Sequence, residues 1–183
     1  IHTEARVGQN KAQSAQQSLQ QINQDISVHT LPYAATAENL PQMLMGQANT
    51  PPVSIVLDCS DNFSTRHALN RACFAAKIPL VSGAAVRFEG QVSVFNPQQS
   101  HSPCYQCLYP EAGENIDIAC GQLGVFSPLV GIVGSMQAAE AIKVLLNIGE
   151  TLCGRLWLID ALTMQTRSLR LLKDSACPVC SPM

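Results

Sequence analysis

Val53-Ser54-Ile55-Val56-Leu57-Asp58-Cys59-Ser60-Asp61-Asn62 is the stretch on which the fold turns. Val53 to Leu57 is an apolar run that reads as a buried strand, fed by the loop Asn49-Thr50-Pro51-Pro52 and ending in a polar turn. Ser64 to Ala76 then reads as a helix with Leu69, Cys73 and Ala76 on one face. Strand, polar turn and helix make an α/β crossover unit. Downstream, Ile78 to Ser82 is a further buried strand, and Val86 to Phe88 with Gln91 to Phe95 flanks Glu89-Gly90 as a hairpin, so pairing switches from parallel to antiparallel. Pro128 to Asn147 is a long apolar helix whose small residues Gly131, Gly134 and Ser135 permit close packing. Arg155 to Asp160 and Gln165 to Leu171 make a last hairpin. Upstream, Val7 to Asn23 is an amphipathic helix with Ala12, Ala15, Leu19 and Ile22 in phase, Ile26 to Thr30 a short strand and Thr36 to Gly46 a helix.

Between the two hairpins, Asn96 to Leu123 shows little periodicity, and loops of that length usually carry function. It holds Cys104 and Cys107, spaced like Cys177 and Cys180 near residue 183. Two-residue spacing lets both sulfurs of a pair face one ion, and two pairs supply the four thiolates of a tetrahedral site, for which zinc is the expected occupant. Closed between residues 107 and 177, such a site reads as a structural staple rather than a catalytic metal. Disulfides are the alternative, though cysteines two residues apart seldom bond each other outside redox sites. The expected fold is therefore α/β, a Rossmann-like mixed sheet, parallel in its first half and continuing into antiparallel hairpins, flanked by helices and carrying a four-cysteine zinc site.

At 183 residues, 46% hydrophobic and 13% charged, the chain has the composition of one domain with ample core. A net charge of −2, from 11 basic and 13 acidic residues, leaves no electrostatic footprint for nucleic acid or anionic lipid. Eight cysteines with no signal peptide and no apolar stretch of spanning length point to a reducing compartment, and the protein is expected to be cytoplasmic, without nucleic-acid or membrane partners.

At Asp58-Cys59-Ser60-Asp61-Asn62, through Leu80-Val81-Ser82-Gly83-Ala84-Ala85 and Glu89-Gly90-Gln91, the sequence resembles the MoeB/ThiF family, bacterial relatives of ubiquitin-activating enzymes that include HesA. Val7-Gly8-Gln9-Asn10-Lys11 looks like the family's lysine-bearing helix start, the two cysteine pairs like its zinc ligands and Gly131 to Lys143 like its long helix. The resemblance implies ATP- and magnesium-dependent adenylation of the C-terminal glycine of a ubiquitin-like sulfur carrier, for molybdopterin or thiamine synthesis, by a homodimer drawing sulfur from a separate donor protein. It covers nearly the whole chain, as a single adenylation domain over 1–183. The family's Gly-rich phosphate loop, ribose-binding acid and catalytic arginine fall before the position of Ile1. The chain resembles the C-terminal three-quarters of the family, and this polypeptide alone is expected to be inactive although its parent is an enzyme.

Under that resemblance Asp61 is the magnesium ligand and catalytic carboxylate, Asn62 touches the nucleotide and Lys11 contacts the triphosphate as a point charge. Taken alone, Asp61, Asn62 and Ser64 also suit a helix cap. Cys120 matches the position of a reactive cysteine in thiamine-pathway members, whereas molybdopterin-pathway members resemble the segment equally without needing the thiol. Cys59, Cys73 and Cys153 read as core residues. The rival to an enzyme is a non-catalytic, zinc-stapled scaffold that binds a ubiquitin-fold partner.

Overall fold

The computed structural model describes residues 1–46, 51–111 and 124–181. They fall into two compact units, Ile1–Ala35 and Thr36–Met183.

The first unit is a 3-10 turn, Glu4–Arg6, and helix α1, Lys11–Ile22. Asn10 caps α1, its side-chain oxygen accepting from the backbone N–H of Ala12 at 3.0 Å and Gln13 at 3.4 Å. The helix buries Ser14 and Ser18, while Ile22 of the expected apolar face is 77% exposed. A polar network explains the difference. Arg6 donates to the Ser14 carbonyl at 2.6 Å and the Ser18 hydroxyl at 2.9 Å, and the His2 ring bonds the Ser14 hydroxyl at 2.9 Å, so the hydroxyls are buried with partners. Residues 26–30, expected as a strand, are irregular. The Val28 carbonyl accepts from Gln16 Nε2 at 2.5 Å instead of entering a sheet ladder.

In the second unit, helix α2 (Leu40–Met45) precedes strand β1 (Val56–Asp58) and helix α3 (Phe63–Ala76). Strands β2 (Leu80–Val86) and β3 (Glu89–Phe95), helices α4 (Tyr105–Leu108) and α5 (Ser127–Leu146), and strands β4 (Arg155–Asp160) and β5 (Gln165–Arg170) follow. One five-stranded sheet runs in the order β1-β2-β3-β4-β5. β1 and β2 are parallel, with Val56 opposite Leu80, and every later pair is antiparallel. The expected switch of pairing is present, then, at shifted boundaries. β1 starts three residues late, and the hairpin reverses at Arg87-Phe88, with Arg87 at φ +51°, instead of at Glu89-Gly90. Gly90 serves another purpose inside β3. A Cβ there would come within 2.9 Å of Leu129, Val133 and Ile159, so the glycine lets α5 approach the sheet.

Alternating residues divide the packing between two faces. Val81, Val92, Val94 and Ile159 meet Leu129 and Val133 of α5, and Leu80 and Phe95 point the other way, toward Cys73 of α3 and Tyr105 of α4. By length and composition α5 could cross a membrane, with a window of mean hydropathy 1.5, which corrects the reading that no stretch is long and apolar enough. It is a packed helix all the same: Glu140, 2% exposed, accepts from Leu152 N–H at 2.7 Å and pairs with Lys143, while Gln137 reaches into the sheet.

Candidate functional site

The carboxyl end of β1 leads into a buried ionic cluster. Asp58, 1% exposed, accepts from Ser60 N–H at 2.9 Å, Ser60 Oγ at 2.6 Å and Ser82 Oγ at 3.2 Å, and faces Arg66 Nη1 of α3 at 3.4 Å. Arg66 donates in turn to the Gly83 carbonyl at 3.0 Å, the Ser82 hydroxyl at 3.3 Å and the Ser60 carbonyl. From the opposite face, Gln137 Nε2 donates to the carbonyls of Asp58 at 2.9 Å and Val81 at 3.2 Å. A Cβ on Gly83 would overlap the Gln137 amide, so that residue must be glycine for the helix to pin the strand ends. Every buried charge in the cluster has several partners, the condition under which an ion pair is tolerated in a core.

This cluster fixes the turn Cys59 to Asn62 in space. Asn62 is the cap of α3, its side-chain oxygen accepting from Thr65 N–H at 2.8 Å. Asp61 is not a cap. It is exposed, and its one hydrogen bond among the described residues comes from Asn62 Nδ2 at 3.4 Å. Both residues line a cleft of about 300 Å³ between α3, α4 and the sheet face opposite α5. Phe63, Tyr105 and Tyr109 form its aromatic wall, with Tyr109 packed 5.6 Å from Phe63 and 5.3 Å from Tyr105 between ring centroids. Arg66 and Arg167 supply cations on the lining, and Asp61, Glu89 and Asp160 supply carboxylates. Exposed Lys11 occupies the first position of α1 in the other unit, and Cys120 lies outside the described residues.

Behind α4 the four cysteines converge. Their sulfurs lie within 4.8 Å of one another, with Cys107 and Cys180 at 3.4 Å, Cys104 and Cys177 at 3.6 Å, and Cys104 and Cys107 at 4.0 Å. A tetrahedral zinc–thiolate centre with bonds near 2.3 Å needs sulfurs about 3.8 Å apart, so the donor set fits that ion in number, softness and spacing. Burial pushes the Cys104 thiol up to about 11 and Cys180 well above the usual thiol range. At Cys177 burial also opposes ionisation, but the backbone N–H groups of Cys180 and Val179 outweigh it and hold this thiol below its ordinary value. Asp174 N–H donates to the Cys107 sulfur at 3.4 Å, a further bond suited to a thiolate.

Sequence reasoning places Asp61, Asn62 and the four cysteines, and the structure brings the first two to the cleft and the other four to one point. It passes over Arg66, Gln91, Tyr105, Tyr109, Gln137 and Arg167. Gln137 and Glu140 do leave a trace, as polar residues three apart in a largely apolar helix that also holds Ser135 and Lys143.

Mixed sheet, helices on both faces, ligand-sized cleft at the end of a parallel strand pair and four-cysteine cluster together define a Rossmann-like α/β protein with a candidate metal centre. Residues 1–179 match the ThiF family, and the chain belongs to it. It is 41% identical over 180 residues to the molybdopterin-synthase adenylyltransferase of Salmonella typhimurium, across 98% of this chain and 69% of that protein. It is also 41% identical over 184 residues to the sulfur carrier protein adenylyltransferase of Thermus thermophilus, across 98% of this chain and 66% of that one. Among solved structures, Escherichia coli MccB with ATP shares the fold at a TM-score of 0.80 and 22% identity, with 98% of this chain and 54% of MccB covered.

Proposed function

We propose that the protein of which this chain is part adenylates the C-terminus of a ubiquitin-like sulfur-carrier protein with ATP, in molybdopterin biosynthesis. The observation that carries this is the match to adenylyltransferases over nearly the whole chain, combined with an exposed Asp61 that is left out of the helix cap and faces a cleft. One adenylation domain spans both units, as the extent of the family match supports.

Adenylation requires the carrier carboxylate and the α-phosphorus to be held in line while charge builds on the departing pyrophosphate. Asp61 is the ligand for magnesium, which when bound neutralises that charge. Asn62 offers its remaining N–H to the nucleotide, since its oxygen is committed to Thr65. Lys11 opens helix α1, at the positive end of its dipole, and adds a cation for the phosphates. Cys104, Cys107, Cys177 and Cys180 hold a structural zinc ion whose loss frees the C-terminal segment. Adenylation brings no sulfur of its own, so the activated carrier passes to a separate donor. A reactive role for Cys120 belongs to the thiamine-pathway reading, which the molybdopterin relatives do not favour. The cytoplasm suits a metal site built from thiols.

The protein is a homodimer in this reading, through the outer face of α5. That face presents Val130, Ile142, Leu145 and Leu146, each about half exposed or more, around Gly131 and Gly134, at which a Cβ would meet nothing within 4 Å. The decisive experiment is carrier-dependent exchange of pyrophosphate into ATP by the full-length protein with the sulfur carrier of molybdopterin synthase. Exchange that appears only with the carrier is expected. Its absence, with carrier and ATP both bound, would overturn the assignment.

A further inference from the structure

The floor of the cleft is a row of side chains laid across four strands. Ala84 of β2 stands opposite Gln91 of β3, Gln91 opposite Leu158 of β4, and Leu158 opposite Arg167 of β5. Directly opposed residues share a face, and all four line the cleft. Three strand spacings make the row roughly 14 Å long, the reach of about four extended residues. One end lies beside the turn that carries Asp61, and the other ends at a guanidinium.

Gln91 stands at the middle of this row, and its amide has a fixed orientation. The Tyr109 hydroxyl donates to Gln91 Oε1 at 2.8 Å, and the Tyr109 ring is wedged between Phe63 and Tyr105. With the oxygen engaged, Nε2 is left with two hydrogens and no partner among the described residues. A donor held open in a cleft of this length suits a main-chain carbonyl, because an extended chain crossing the floor presents its carbonyls, one per residue, alternately to one side and the other. Ala84 keeps the floor low on the side toward Asp61.

Resting on the adenylation reading above, we propose that Gln91 binds the C-terminal segment of the carrier by donating from Nε2 to one of its backbone carbonyls, and that Tyr109 is the positioning residue that aims this amide. The contact reads main chain, so it fixes the register of the segment without selecting its side chains. The terminal carboxylate is thereby brought to the Asp61 end of the row.

Pyrophosphate exchange by the full-length protein, with carrier and ATP varied separately, tests this. Gln91→Leu, similar in size and unable to donate, should raise the KM for carrier about tenfold while kcat and the KM for ATP stay within about twofold. Tyr109→Phe should raise the KM for carrier about threefold and add nothing in the Gln91→Leu background, because it acts through the amide. Gln91→Glu keeps the acceptor for Tyr109, so the variant folds, but turns a carboxylate toward a carbonyl and should exceed the effect of Gln91→Leu. An unchanged KM for carrier in both Gln91 variants would overturn the inference, as would a Tyr109→Phe effect that persists in full without Gln91. Absence of exchange in the unsubstituted protein would remove the adenylation reading itself, a different result from active protein with indifferent Gln91 variants.

Discussion

Asp58, Asp61 and Arg66 lie within nine positions and do different work. Asp58 and Arg66 are buried and shared among at least five hydrogen bonds, whereas Asp61 is exposed and, among the described residues, bonded only to its neighbour. Removing Asp61 therefore spares the fold. Asp61→Ala should lower carrier-dependent pyrophosphate exchange by about 10²–10³-fold, with the melting temperature within a few degrees of the parent; full exchange would cancel the magnesium-ligand role. Arg66→Ala has the reverse signature, because it strands the Asp58 carboxylate in the core. It should cost roughly 3–5 kcal/mol in urea unfolding, and a loss under about 1 kcal/mol would show that water reaches Asp58. Asp61 and Asn62 are legible in sequence because a polar turn after an apolar strand is a local signal. The clamp on that turn is not, since Asp58, Arg66, Ser82 and Gln137 are drawn from four elements and share no spacing that a window could detect.

Elements are more legible in kind than in extent. Both hairpins and the long helix follow from period-two and apolar patterning, and α5 differs from expectation by one residue at each end. The errors fall where tertiary packing overrides local chemistry. Gly90 looks like a turn residue and is a packing residue under α5, while α1 buries serines because a neighbouring arginine satisfies them. The outer face of α5 yields a prediction at this scale. Gly134→Leu adds a side chain in open space within the chain, so the folded monomer should keep its thermal stability to within about 1 kcal/mol. In sedimentation it should shift dimer to monomer. A Gly134→Leu dimer as tight as the parent would move the interface elsewhere.

For the molecule as a whole, the cysteine pairs join chain segments whose linear separation hides their geometry: each Cys-x-x-C is legible as a ligand pair, but nothing in the sequence shows that the first pair anchors the short helix that carries Tyr105 and ends at Tyr109, the two tyrosines of the cleft. Metal uptake must displace protons from Cys104, raised to about 11 by burial, and from Cys180, raised further. Zinc affinity should hence rise with pH and fall on acidification. Competition with a chelator at about pH 5.5 and about pH 8 should show faster and fuller release at the lower value, and a pH-independent result would mean the thiols are already ionised without metal. Loop closure by the metal should also show in hydrogen exchange, with residues 174–181 losing protection first when zinc is removed. A final consequence concerns synthesis rather than the finished molecule. Cys104 and Cys177 are 73 positions apart, so at roughly 5–20 residues per second the first pair leaves the ribosome about 4–15 seconds before its partner. Throughout that interval the nascent chain carries two bare thiols and an unclosed cleft wall, and a chelator supplied during translation should be far more damaging than the same chelator added afterwards.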